Sequence, residues 1–420
     1  GGFTVSSTGS FTTGNLSPIT FRGDITNNGT FTKNGSGIVT IDASIDILGT
    51  SPIVMNGNVT IGAGYTVSNS NTITLGGILN GTNTASTWYN ASGSTLNYNN
   101  NTTILTVGTL DASGANNTVS YGGGNQTIKQ ATYHNLTLVG TGTKTFSSDI
   151  TVNGNLSRTT VAMTFSAGQT TTFSSGSTAN FTAGGISTTF RNVVIDKSGG
   201  SLTLNAGGAI TNTFETLTIS AGSFNLGTTN TTVNVTGDLG GAGNLDMSGA
   251  THQVTLSGAD NNLGSLTSNA NPALGTITYN RSTDQSIFAS PNYRNLVLSM
   301  VSGSSKNVTL NGNVAVSNDL SFLNNVRVIL GSSDVKIKAS GQLISNLAFG
   351  LNRMFITDGV GMLIKEGTAV SSFTTDMYGT GVFPVGNSGG LYTPFEILSL
   401  SATVTPTASI AVRAVPARQP

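Results

Sequence analysis

The chain has 420 residues, a formal net charge of zero and only 8% charged residues, far below the roughly one quarter usual for globular proteins. No run approaches the roughly 18 apolar residues of a membrane helix, and with no basic stretch neither nucleic acid nor an anionic membrane is an expected partner. The absence of cysteine excludes disulfides, thiolate metal sites and cysteine nucleophiles.

Polarity comes instead from Ser, Thr, Asn and 55 glycines, interleaved with Leu, Ile, Val and Phe along the whole chain. That interleaving argues against disorder, and its period of two argues for strands. The chain opens on Gly1-Gly2 without a basic-then-apolar leader, so we expect a mature form or an excised piece.

Taken in chain order, Gly9-Ser10-Phe11-Thr12 returns twenty residues later as Gly29-Thr30-Phe31-Thr32. Phe21-Arg22-Gly23-Asp24 contains a tripeptide that some animal integrins recognise, and we read it as structural filler. In "IDASID", Asp42 and Asp46 share strand parity, the arrangement that acid and base carboxylates would need in glycoside cleavage; solvated edge charges are the plainer reading. "GAG" at 62–64 and "YGGGN" at 121–125 lead into no helix and read as turns, not phosphate cradles. Trp88 and Tyr89, in "TASTWYNASG", are the candidate ligand-binding residues, because exposed rings stack on sugar faces; the alternative is that Trp88 fills a gap in the core.

"SGSTLNY" at 92–98 recurs as "SGSTANF" at 175–181, and "LDASGA" at 110 recurs as "LDMSGA" at 245. Asp111 and Asp246 in the latter pair read as turn-forming aspartates. The phrase "YHNLTL" at 133 has variants "FRNVVI" at 190, "FETLTI" at 214 and "YRNLVL" at 293. Two copies are preceded by related segments, Asn125-Gln126-Thr127-Ile128 and Asp284-Gln285-Ser286-Ile287. Within the phrase, Leu136 and Leu138 share one parity and Tyr133 the other, which predicts a bend between them. Asn135, Asn192 and Asn295 are expected at left-handed corners, where stacked asparagines can hydrogen-bond to one another.

Unequal repeat shifts around a turn of about 20 residues predict an all-β chain folded as a right-handed parallel β-helix, or β-solenoid, over residues 1–345. Larger residues (Met354, Phe355, Met362, Phe373, Met377, Phe383) and turns such as Asp358-Gly359 then predict a β-rich C-terminal module or cap, with a β-sandwich-like module as one form, over 346–420.

His134 sits where the other copies of the phrase carry Arg191, Glu215 and Arg294, so an exposed site is expected, and the same reading applies to His252. No His-Glu-x-x-His, nucleophile elbow or calcium loop is present; no catalytic residue, metal site or cofactor is expected. Asn-x-Ser/Thr sequons, as at Asn28, Asn80 and Asn234, follow from composition.

"GNQTI…YHNLTLVGTGTKTF" at 124–146 resembles repeats of very large Bacteroidetes surface proteins, including gliding-type adhesins. "FITDGVGMLIKEG" at 355–367 and "FPVGNSGGLYTP" at 383–394 resemble the segments that follow such repeats. The resemblance implies export by the type IX secretion system and a place at the cell surface or outside the cell. It also implies a C-terminal sorting domain, which is not evident before Pro420.

The expected function is therefore non-enzymatic: an extracellular structural or adhesive solenoid that attaches to surface glycans or solid surfaces by repeated weak contacts. Copies of itself and outer-membrane secretion or attachment proteins are the further partners considered. The rivals are a β-helix polysaccharide-degrading enzyme, a self-assembling filament subunit, and a crystal- or ice-binding surface built on threonines such as Thr170–Thr172.

Overall fold

The structure is a computed structural model that describes residues 1–101, 105–269, 275–300, 305–367, 377, 381–397 and 408–414. Phe373 lies outside the described residues. Among those described, every helical or extended element is a β-strand. The chain divides into two compact units, Gly1–Gly207 and Gly208–Pro420, and each is a parallel β-solenoid.

In the first unit a typical turn supplies three short strands, one to each side. Ile25–Asn27, Thr30–Lys33 and Val39–Ile41 form one such turn. Each strand pairs in parallel with its counterpart in the next turn: Ile25 with Ile47, Phe31 with Ile53, Val39 with Val59. The repeat at Phe11 and Phe31 is one turn of the solenoid, since these residues are direct partners. Turn length varies from 17 residues, between Val119 and Leu136, to 25, between Leu156 and Phe181, with the inward columns still in register.

Strand alternation sends Phe31, Ile53, Ile73, Leu96, Val119 and Leu136 into one buried column, each worth roughly 1.5–3 kcal/mol of apolar burial. The first turns are closed by packed rings: Phe3 lies 4.8 Å from Phe11 and 6.0 Å from Phe31, and Phe11 lies 4.9 Å from Phe31. Corners bring backbones so close that some need glycine. Gly49 has φ +109°, and a Cβ there would stand 2.1 Å from the Asn27 carbonyl oxygen.

Corner carbonyls also recruit buried cations. The Lys144 ammonium donates to the carbonyls of Gly123 and Gly124 (2.7 and 2.8 Å) and to Gln126 Oε1 (2.6 Å). Lys197 donates to the carbonyls of Asn153 and Ser174, both at 2.7 Å. Both side chains are buried, and burial pushes each amine down to about 8.

The second unit follows the same plan. Thr231–Val235, Gln253–Leu256, Thr276–Tyr279, Asn295–Leu298, Asp319–Phe322 and Gln342–Ser345 stack in parallel along one side. Parallel stacking continues past residue 345, with Met354–Ile356 on Val326–Ile329 and Leu363–Glu366 on Val335–Ile337. Antiparallel strands follow: Ser409–Val412 covers the edge of Leu363–Glu366, and Val382–Phe383 pairs with Phe395–Glu396. Met354, Phe355, Met377 and Phe383 are fully buried in these last turns.

The repeated phrase builds a corner. The chain bends at His134, between Thr132–Tyr133 and Asn135–Leu138, as the parity switch predicts. The Tyr133 hydroxyl donates to the Lys129 carbonyl (2.5 Å), and the Lys129 N–H donates to the Tyr121 hydroxyl (3.1 Å). The two hydroxyls are 3.1 Å apart, so Tyr121 donates to Tyr133 and closes a ring of hydrogen bonds on the backbone of one residue, Lys129. The second unit repeats it: Tyr279 and Tyr293 hydroxyls are 3.0 Å apart, and Tyr293 donates to the Phe288 carbonyl at 2.8 Å. The preceding glutamine is part of the same device, because Gln126 donates to the Tyr98 carbonyl and Gln285 to that of Leu256. Phe190 and Phe214 take the tyrosine's place in the other two copies, buried among rings such as Phe181 and Phe224.

The asparagines of the phrase differ from expectation. Non-glycine residues at positive φ, among those described, are Asn116 and Ser175. Asn135, Asn192 and Asn295 lie in strands; for Asn135 and Asn295 the bend falls one residue earlier, on His134 and Arg294, and Asn192 lies within the unbroken strand Thr188–Asn205. Each spends its amide on the turn below, donating to the carbonyls of Asn117 (2.9 Å), Gly168 (3.3 Å) and Gly275 (3.0 Å).

Candidate functional site

Strand Thr87–Asn90 alternates, and that alternation separates the two aromatic candidates. Trp88 is 1% exposed inside the coil, whereas Tyr89 faces outward and is half-exposed. A ring with no accessible face cannot stack on a sugar, so Trp88 packs as core and Tyr89 alone keeps a usable surface. Tyr89 lies in a column with Ser68 and Asp111 as direct partners, and Asp46 one turn beyond Ser68.

The carboxylates are mostly committed to the scaffold. Asp42 follows Val39–Ile41 and Asp46 lies within Ile45–Leu48, so a corner puts them on different sides of the coil. Asp42 pairs with Arg22 at 3.1 Å, and Asp24 Oδ1 accepts the Asp46 backbone N–H at 2.9 Å, which accounts for "FRGD". Asp111 and Asp246 both make the expected turns, accepting the N–H of Ser113 and Ser248. The glycines of "YGGGN" supply carbonyls to Lys144.

His134 is half-buried, and burial, then the charge of Lys197, holds its pKa below the usual imidazole range. His252 is not at the surface. It is fully buried, with Nε2 3.1 Å from the Gly227 carbonyl and Nδ1 2.9 Å from the Thr231 hydroxyl. A neutral ring satisfies both contacts, and burial lowers the pKa accordingly. Nothing in "SGATHQV" distinguishes this from an exposed histidine, because the partners come from the preceding turn. Among the described residues no group of three or more His, Asp or Glu side chains could hold a metal ion.

Shallow grooves run between outward rows of the described residues. One of about 530 Å³ in the first unit is lined by Thr132, Thr151, Thr170, Thr172 and Asp149. Another, of about 250 Å³ in the second unit, is lined by Thr211, Thr232, Thr251, Asn230 and Gln253. A third, of about 480 Å³, has an apolar floor of Pro291, Ala315 and Ile364 rimmed by Asp334, Lys336, Lys338 and Glu366. Its acids are engaged: Glu366 pairs with Lys336 at 3.2 Å, and Asp334 accepts the Met362 N–H at 2.9 Å.

One regular surface is a side of the first unit ten strands long. Its outward positions form two columns, beginning at Ser10 and Thr12 and ending at Thr203 and Asn205. Along the strands of this side every outward position is Ser, Thr or Asn except Val54, and of these Ser120 is only 8% exposed. Neighbouring side chains hold one another: Asn155 Nδ2 donates to Asn135 Oδ1, Asn180 to Asn155 and Asn205 to Asn180 (3.3, 3.3 and 3.2 Å). Thr137 and Ser157 hydroxyls are 3.2 Å apart. The stacking expected of asparagines is thus present as a ladder.

No family model, curated protein or solved structure matches the chain.

Proposed function

We propose that the protein is an extracellular structural and adhesive solenoid of a bacterial surface, of the kind found in type IX-secreted gliding adhesins of Bacteroidetes, and that it acts without catalysis. The observation that carries this reading is the neutral hydroxyl and amide surface repeated turn after turn on the parallel stack of the unit Gly1–Gly207. Each row offers one or two weak hydrogen-bonding contacts, and repetition multiplies them into useful avidity. The committed carboxylates and the internally satisfied His252 fit a scaffold.

The test is retention of the purified chain on a panel of immobilised glycans and on bare mineral and polymer surfaces, with polysaccharide turnover assayed in parallel. Retention without turnover supports the reading. Release of reducing ends from any polysaccharide, abolished by Asp46→Asn or Glu366→Gln, would replace it with the enzyme.

A further inference from the structure

We propose that the two-column side of the unit Gly1–Gly207 docks onto neutral polysaccharide chains packed side by side in a solid, and not onto single soluble oligosaccharides. The inference rests on the adhesive reading above and assigns it a face and a ligand.

Charge points to the partner first. No outward position in either column is ionisable, while outward charges of the same unit, such as Arg22, Asp42, Asp46 and Asp111, lie on the other sides or at corners. An anionic or cationic glycan finds no counter-charge here, whereas a neutral polyol finds donors and acceptors in every row but that of Val54.

Geometry then separates packed from free chains. Rows repeat at about 4.8 Å along the stack and columns stand about 6.6 Å apart, so ten rows form a lattice about 43 Å long. Ladder bonds and hydroxyl contacts hold many of its side chains in place before any ligand arrives. A solid whose hydroxyls are already fixed at regular intervals meets many rows at once without being ordered. A free oligosaccharide spans few rows and loses its own freedom on binding. The face also carries no aromatic ring among its outward positions, so the stacking contact that would hold a single sugar is missing.

The experiment is co-sedimentation of the full chain with microcrystalline cellulose and with chitin, with soluble oligosaccharides of the same linkages as competitors. Thr74→Lys/Thr137→Lys places two charges on the face, and Asn97→Lys is an independent single change. Thr60→Lys, on another side of the same unit, is the control. Far-UV circular dichroism checks that each variant is folded. We expect wild type and Thr60→Lys to sediment equally, the double variant to lose about ten-fold in partition, and oligosaccharides not to compete. Full competition by oligosaccharides, or loss in Thr60→Lys with none in the face variants, overturns this assignment while leaving adhesion intact. No sedimentation with either solid overturns it too, and retention on the wider panel then judges the adhesive reading separately.

Discussion

The ring of hydrogen bonds around Lys129 makes a prediction with a built-in asymmetry. In Tyr133→Phe the Lys129 carbonyl, which is half-buried, loses its donor, and the fully buried Tyr121 hydroxyl loses its acceptor. The buried hydroxyl left unpaired costs about 1–3 kcal/mol and the half-buried carbonyl about 1, together about 2–4 kcal/mol. In Tyr121→Phe the Lys129 N–H is the stranded donor, while Tyr133 still donates to the carbonyl. That variant should cost less, about 1–2 kcal/mol. Urea unfolding of the two variants side by side measures the difference; with an m value near 3 kcal/mol/M, Tyr133→Phe lowers the midpoint by about 1 M. Because stacked turns can open locally, amide exchange of Asn135–Leu138 should be followed as well, and it should accelerate most in Tyr133→Phe. If Tyr133→Phe is within about 0.5 kcal/mol of wild type, or milder than Tyr121→Phe, the directed ring of bonds is wrong.

Further outcomes follow from other parts of the scaffold. Lys144 and Lys197 have folded pKa values near 8 against 10.5 when free, so above about pH 8 the unfolded chain binds more protons and stability should rise towards pH 10. Tyr121 is pushed up to about 12 from 10.0, so between those values the folded state holds the extra proton and stability should fall again; urea midpoints from about pH 7 to 11.5 should pass through a maximum. Gly49→Ala should destabilise by more than about 2 kcal/mol, because its Cβ meets the Asn27 carbonyl, whereas Gly64→Ala, with φ +76° and nothing within 4 Å, should cost only about 1 kcal/mol; thermal unfolding compares them. Tyr89→Ala should leave the melting temperature nearly unchanged, while Trp88→Ala should cost about 3–5 kcal/mol. Equal costs for those two would refute the inward and outward assignment.

Much of the scaffold was legible because it is written in short-range periodicity. The return of Gly-Ser-Phe-Thr after twenty residues is a direct copy of one turn, Phe11 over Phe31, and the parity switch in "YHNLTL" placed a bend between Tyr133 and Leu136, where it falls on His134. What stayed hidden are polar residues whose partners lie one turn away. Lys144, Lys197 and His252 read as surface residues by type, yet each is buried against carbonyls or a hydroxyl supplied by an earlier turn. For Trp88 the alternative reading, a filler of the core, is the one the structure bears out: polar neighbours in "TASTWYNASG" favour an exposed ring, but strict alternation in Thr87–Asn90 turns the indole inward. One signal for the tyrosine ring was available, since Tyr121 and Tyr279 precede the two tyrosine copies of the phrase at similar distances.

The asparagine ladder gives the surface a sense as well as a spacing. Oδ1 of Asn135 accepts the backbone N–H of Asn155 as well as its side-chain amide, and Oδ1 of Asn180's neighbour Asn155 does the same for Asn180, which assigns oxygen and nitrogen without ambiguity. Every amide therefore donates towards the N-terminal turn, and the carboxamide dipoles add along the stack instead of cancelling. A polymer with two different ends would meet an arrow on this side of the protein, so that sliding along it head first and tail first are not equivalent.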